Sequence, residues 1–328
     1  MIQGYSEEWE VDRMYEFINL IKAIAACLVV NSHFDGIWPI SALATGGSIG
    51  NCLFFASTGF LLANIKQKFG PWYLKKLARI YPAIIIVESI GLLFFNANTD
   101  IWGQYGVAAR YFVCGGYWFL QALVCLYIPY YIVMTTKLKD YLLGVSGVVT
   151  LIYFVCYFLF VDKTVWSIEA SRFKWIFYFG IMLIGSWYAL QIKQQKKILN
   201  CSLAGVITIV MFIAFYGFKF LLDRYPQIMP LQFIEHVILA IFIYALMAML
   251  LQYEAKLKIY HEKIWWKSIK FLSRITLEIY LVMDLVIEHV ETFLFPISFY
   301  LACGLILVSA FTLHAISKWI SDKLIVWI

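Results

Sequence analysis

The run YEFINLIKAIAACLVVNSHF, residues 15–34, is apolar over most of its length and is then closed by Asn31, Ser32 and His33. Wound as a helix, about 20 apolar residues match the hydrocarbon thickness of a bilayer. Runs of the same kind recur at about 47–65, 80–96, 117–136, 141–161, 173–190, 198–220, 230–252, 271–291 and 296–316. Barrel strands would instead alternate in character over roughly ten residues. These runs are uninterrupted and rich in aromatic residues, so each is expected to be a helix. The sequence therefore predicts an all-α integral membrane protein. It should be a bundle of ten spans over residues 1–328, forming a single membrane domain with no separate soluble domain.

Composition agrees with this class. The chain is 63% hydrophobic, 19% aromatic and 14% charged, with a mean hydropathy of +0.80. A soluble domain carries about 25% charged residues. The acidic, polar start MIQGYSEEWEVDR lacks a basic region ahead of a short apolar core, so no cleavable leader is expected.

Orientation follows the positive-inside rule, under which Lys and Arg collect on the cytoplasmic side. Lys66, Lys68, Lys75, Lys76 and Arg79 fall between the second and third runs. Lys256, Lys258, Lys263, Lys267 and Lys270 fall between the eighth and ninth. With Arg13, Lys137, Lys139, Lys193, Lys196, Lys197, Lys318 and Lys323, one side carries 18 cations. The other carries 6, namely Arg110, Lys163, Arg172, Lys174, Lys219 and Arg224. Both termini should then face the cytoplasm. The formal charge of +6 reflects this topology, and no nucleic-acid partner is implied.

The seven cysteines, Cys27, Cys52, Cys114, Cys125, Cys156, Cys201 and Cys303, are scattered singly. They offer neither a CxxC pair nor a zinc cluster, and no metal is expected. The first run carries the chemistry instead. Lys22 and His33 are 11 residues apart, about three helical turns or roughly 16 Å, which puts both on one face with Asn19, Ala26 and Val29. An ionisable group inside a span is a functional candidate by default. The plain alternative is that Lys22 snorkels to one interface while His33 sits at the other.

The same run resembles the opening of the membrane-bound acyltransferase 3 family, whose first helix carries an Arg-x10-His motif. Here Lys22 stands in place of the arginine and His33 is the histidine. The similarity continues in order. LFFASTGFLL (53–62) resembles the family's FxxSGFLL pattern, with Thr58 where serine is usual. YLKKLARIYPA (73–83) resembles its RxxR-I-x-P element. YWFLQALVCLYIPY (117–130) resembles a W-F-L opening through Trp118, and LSRITLEIYLVM (272–283) resembles a late S-x-x-I-Y-L-x-H segment with Met283 at the histidine.

The resemblance implies bacterial O-acylation of surface glycans. An acetyl or other short acyl group would move from acyl-CoA, a substrate and not a resident cofactor, to a hydroxyl of a cell-surface or lipid-linked sugar. A hydroxyl needs a base, and histidine titrates near the working pH, so His33 would act as general base or as acyl carrier. Lys22 would assist on its helix, and Lys75, Lys76 and Arg79 would bind the donor's phosphates. Asn31, Ser32, Asp35 and Trp118 would line the acceptor path, with Asp35 able to orient the His33 ring if the helix breaks. Arg274 and Glu278 are expected to pair at i,i+4. Glu88, Glu235–His236 and Asp284 are further polar candidates, while His261 and His314 are read as structural. The implied location is the bacterial cytoplasmic membrane, with lipid as a further partner. The competing function class is a transporter or flippase for a small polar molecule or the glycan itself, which buried Lys22, Glu88 and Asp284 would also suit. A catalytically silent sensor is the third reading.

The 18-to-6 bias predicts that segment 66–79 is cytoplasmic and segment 36–46 external. In a cysteine-free background, Ser41→Cys should react with an impermeant thiol reagent in intact cells and Lys68→Cys only after permeabilisation. The reverse pattern would invert the topology.

Overall fold

The structure, a computed structural model, describes residues 15–94, 111–112, 116–164, 171–196 and 198–328. The polar start with Arg13, and Arg110, Lys197 and Cys114, lie outside the described residues. Within them each of the ten apolar runs coincides with a helix. These are α1 (Glu16–Asn31), α2 (Gly47–Leu62), α3 (Phe69–Phe94), α4 (Trp118–Thr135), α5 (Leu142–Phe160), α6 (Lys174–Lys193), α7 (Cys201–Arg224), α8 (Phe233–Gln252), α11 (Thr276–Val290) and α12 (Ile297–Val326). Two short helices, α9 (Glu254–Ile259) and α10 (Ile264–Arg274), precede α11. Among the described residues seven helices, α3 to α8 and α12, are long and apolar enough to cross a membrane. The others, α1 and α2 with 16 residues and α11 with 15, are shorter.

Two segments read as basic loops are helical. The third span was expected to begin at 80, yet α3 begins at Phe69. Pro71 falls within its first turn, where the absent N–H is no loss. Trp72 then packs edge-on to Tyr127 at 5.7 Å and parallel to Tyr130 at 6.5 Å. Lys75, Lys76 and Arg79 consequently sit on a helix. Segment 253–270 holds α9 and most of α10, where Trp266 is buried while Ile264, Trp265 and Lys267 are exposed. Finally, α12 runs to Val326 instead of 316, with Ser317, Ser321 and Ile325 buried along one stripe.

The chain divides into two compact units, and the division falls inside α1 after Ala25. The first holds the start of α1, residues 48–65 and residues 132–270. In it α5 packs on α6, α6 on α8 and α7 on α8. Helix α6 is buried almost throughout, from Phe177 to Ser186. The outer face of α7 instead exposes Leu203, Val206, Ile209, Val210 and Ile213, apolar surface of the kind that faces lipid. At the α2–α6 crossing, a Cβ on Gly59 would lie 1.8 Å from the Met182 carbonyl, and one on Gly185 would lie 1.9 Å from that of Ala56. Small residues permit such backbone approach where lipid supplies no hydrophobic drive between helices. Ser186 Oγ donates to the Gly59 carbonyl at 2.9 Å and closes the crossing.

The first turn of α1 is held by α9 and α10. Glu254 accepts the otherwise orphaned amides of Glu16 at 3.0 Å and Phe17 at 2.9 Å, an anion placed at a helix N-terminus. Glu16 in turn receives Trp266 Nε1 at 2.8 Å and the Lys270 ammonium at 2.6 Å. Glu235 and His236 are fully buried in α8, with His236 Nδ1 3.5 Å from Tyr153 Oη and its ring edge-on to Phe177 at 4.2 Å.

The second unit holds residues 26–47, 66–131 and 271–328. There α11 packs on α12, and both pack on α3. Tyr117 Oη donates to the Leu281 carbonyl at 3.0 Å, while the Tyr280 ring lies 5.4 Å from that of Phe119, tying the start of α4 to α11.

The reciprocal Gly59–Gly185 approach predicts that Gly185→Ala forces α2 and α6 apart, because the obstruction is backbone and cannot swing away. Overpacking of this kind costs about 1–3 kcal/mol or more. A thermal unfolding scan in detergent should show a clear loss for Gly185→Ala and little change for Gly205→Ala, where the nearest atom is the flexible Met249 sulfur at 3.7 Å.

Candidate functional site

All the predicted site residues except Lys22 belong to the second unit. Lys22 lies in the part of α1 that belongs to the first unit and is half-buried. Helix α1 ends at Asn31, so His33 stands two residues beyond it in a turn and does not continue the helical face.

The turn is shaped by side chains that return to the backbone. Asn31 Nδ2 donates to the Leu43 carbonyl at 2.8 Å and to that of Thr45 at 2.9 Å. Its Oδ1 accepts Trp38 Nε1 at 3.0 Å. Expected on the acceptor path, Asn31 therefore has both amide ends engaged in clamping segment 32–46. Ser32 Oγ donates to the Val29 carbonyl at 2.7 Å. Trp38 packs on Phe299 at 4.9 Å and Phe295 at 5.8 Å. A Cβ on Gly36 would come within 2.7 Å of Glu291 Oε2, the mobile end of an exposed side chain that can move aside.

His33 Nδ1 lies 2.8 Å from the Val29 carbonyl. A carbonyl only accepts, so this contact assigns the proton to Nδ1 and leaves the Nε2 lone pair outward in the neutral ring. Nε2 is 3.8 Å from Asp284 Oδ1, with 42% and 57% of the two side chains exposed. At that exposure the ion pair is worth only about 0.2–1 kcal/mol. Its consequence is chemical: a carboxylate faces the nitrogen that becomes positive when the ring takes up a proton.

Asp35 is exposed, and the carboxylate beside the ring is that of Asp284, not Asp35. The helix ends before His33, and the turn leaves the Nε2 side of the ring facing α11. Sequence reasoning noted Asp284 only as a buried polar candidate. The available signal was its place directly after Met283, at the end of the late motif. Met283 itself is fully buried, so the partner of His33 comes from the next residue along.

On α3, Lys76 is buried and its ammonium lies 5.8 Å from the Trp72 ring centroid. Lys75 and Arg79 are half-buried one turn apart, a like-charge i,i+4 pair that disfavours the isolated helix and that a bound anion would offset. Trp118 opens α4, half-buried and edge-on to Phe119 at 6.0 Å. The expected Arg274–Glu278 pair does not form. Ile275 interrupts the helix between α10 and α11, so the two residues share no continuous face, and Glu278 meets His314 instead at 2.9 Å. Among the described residues no group of three or more His, Cys, Asp or Glu is arranged to hold a metal ion. None of the six described cysteines forms a disulfide.

The acyltransferase domain model matches residues 15–316, nearly the whole chain. The chain belongs to the acyltransferase 3 family. No curated protein and no solved structure matches it. Family membership and the long apolar helices together make it a multi-pass membrane acyltransferase.

If Asp284 orients His33 and offsets its positive charge, Asp284→Asn should slow acyl transfer about two- to fivefold, the range an exposed pair can supply. Asp35→Asn should leave the rate unchanged. Initial rates on variants matched for amount in the membrane check both, and equal losses would dissociate Asp284 from His33.

Proposed function

We propose that this protein is an O-acyltransferase that moves an acetyl or other short acyl group from cytoplasmic acyl-CoA to a hydroxyl of a cell-surface or lipid-linked glycan. The observation that carries the reading is His33. In a chain matched to an acyltransferase family over residues 15–316, its Nδ1 is committed to a backbone carbonyl and its Nε2 is accessible beside a carboxylate. That arrangement suits a base. Nε2 takes the acceptor's hydroxyl proton as the oxygen attacks the thioester carbonyl; the new C–O bond forms and the C–S bond breaks. The same lone pair would serve an acyl carrier, which then passes the group to the hydroxyl. Lys22, at the arginine position of the first-helix motif, is given the assisting role by that motif match.

Lys75, Lys76 and Arg79 are the donor site in this reading. Three cations within one and a half turns of α3, one of them buried, suit the phosphates of CoA. Ser32 and Trp118 border the acceptor, and Asn31 supports them by holding the turn. Ten spans with both termini in the cytoplasm would put the donor cations on the cytoplasmic side and segment 36–46 outside. The membrane is then the bacterial cytoplasmic membrane, and the product is an O-acylated envelope polysaccharide. The 18-to-6 distribution of cations supports that orientation.

His33→Ala should lower acetyl transfer, or CoA release from acetyl-CoA, by about 10²–10⁴-fold if the residue is a base and abolish it if it carries the acyl group. The protein should still insert in the membrane. Lys22→Arg, which restores the family's residue, should keep activity. Transfer at near wild-type rate by His33→Ala would make the histidine structural and this mechanism wrong.

A further inference from the structure

Helix α11 presents carboxylates to two histidines on two different segments. Asp284 faces His33, and Glu278, six residues earlier, faces His314 of α12. Six residues are about 9 Å along a helix axis.

The second pair is the more enclosed. Glu278 Oε1 accepts His314 Nδ1 at 2.9 Å and lies 3.4 Å from Ser317 Oγ. Glu278 Oε2 is buried and accepts no hydrogen bond. A buried carboxylate with one bare oxygen is costly as a lone anion. No Lys or Arg lies between Arg274 and Lys318 in the sequence, and Arg274 is exposed beyond the break at Ile275. A proton taken up by His314 offsets that charge, with Nδ1 donating to Oε1. Because Nδ1 is committed to Glu278, the exchangeable proton sits on Nε2. The His314 side chain is 25% exposed.

Acyl transfer from a thioester needs two proton movements at two places. One leaves the attacking hydroxyl and the other reaches the departing sulfur. A thiolate released among apolar helices lacks the water that would stabilise it, so it requires an acid nearby. Both α11 and α12 pack on α3, the helix of Lys75, Lys76 and Arg79.

We propose that His314, oriented by Glu278, is the catalytic acid that protonates the departing CoA sulfur, while His33 serves the acceptor hydroxyl. The assignment rests on the acyl-CoA reading given above. As the C–O bond forms, His33 gains the hydroxyl proton. As the C–S bond breaks, the sulfur takes the Nε2 proton of the His314 imidazolium and leaves as CoA thiol. Return of one proton from His33 to His314 restores both, so the cycle consumes nothing beyond acyl-CoA and acceptor. Glu278 is a positioning residue, holding the imidazole by Nδ1 and balancing its charge.

The test is chemical rescue, with CoA release from acetyl-CoA as the readout on full-length protein in detergent. His314→Ala should fall by about 10²-fold or more, and imidazole in the buffer should restore turnover. Pyrazole has the same shape but is far too weakly basic to deliver a proton at neutral pH, and it should not. His314→Gln keeps a donor for Glu278 and so preserves the α11–α12 contact, yet it should be as inactive as alanine. Near wild-type turnover by either variant overturns the assignment, as does equal rescue, or equal failure, with imidazole and pyrazole. If the wild-type protein releases no CoA at all, the acyl-CoA reading falls and this assignment falls with it. An active wild type with an unrescued variant overturns this assignment alone.

Discussion

In the hydrocarbon of a bilayer, a backbone amide or a charged side chain has no water to turn to, and each must find its partner within the protein. The long outer helices meet this demand internally and expose apolar side chains such as those of α7 and α12. Polar groups gather on the shorter helices α1, α2 and α11, and most find partners there, with Asn51 Oδ1 of α2 and Glu278 Oε2 of α11 left without a hydrogen bond. Glu254 closes the amides of Glu16 and Phe17 at the start of α1, and Asn31 closes segment 32–46 at its other end. A histidine placed just beyond Asn31 is therefore held in a defined position although it lies outside any helix.

The same demand explains why the polar side chains of the second unit come in pairs. His33 gives Nδ1 to a carbonyl and turns Nε2 to Asp284, while His314 gives Nδ1 to Glu278. In each case a hydrogen bond made for satisfaction also selects the tautomer, and the tautomer decides which nitrogen is available. The exposed pair contributes little to stability, whereas the buried one couples α11 to α12. Both carboxylates lie on α11, which Tyr117 and Tyr280 tie to the start of α4. A substitution at the W-F-L segment could therefore disturb the chemistry without touching a reacting group.

Close approach between helices has a different origin in the first unit. Gly59 and Gly185 each admit a carbonyl of the opposite helix where any Cβ would collide. Gly59 lies within the LFFASTGFLL motif, so its glycine is explained by backbone contact and not by catalysis. Thr58, the departure from the usual serine, is half-buried beside it. Ser186, which no motif had marked, provides the hydroxyl that bridges the crossing.

The sequence alone determined the class of the protein, because the length and uniform apolarity of its runs leave helices as the only economical way to satisfy the backbone in lipid. It also determined the family, through motifs in order from Lys22 to Met283, and it singled out His33. It could not place helix ends in mixed stretches: α3 starts at Phe69 because Trp72 finds a tyrosine-lined face on α4, a long-range contact that periodicity does not register. Nor could it pair charges. Arg274–Glu278 has the right spacing for one helix, but the break at Ile275 separates the two residues and α12 brings His314 to Glu278. Asp35 is close to His33 in sequence and Asp284 is distant, yet the turn held by Asn31 gives the Nε2 side of the ring to Asp284. Partner choice of this kind depends on which helices pack together, and only the tertiary structure decides that.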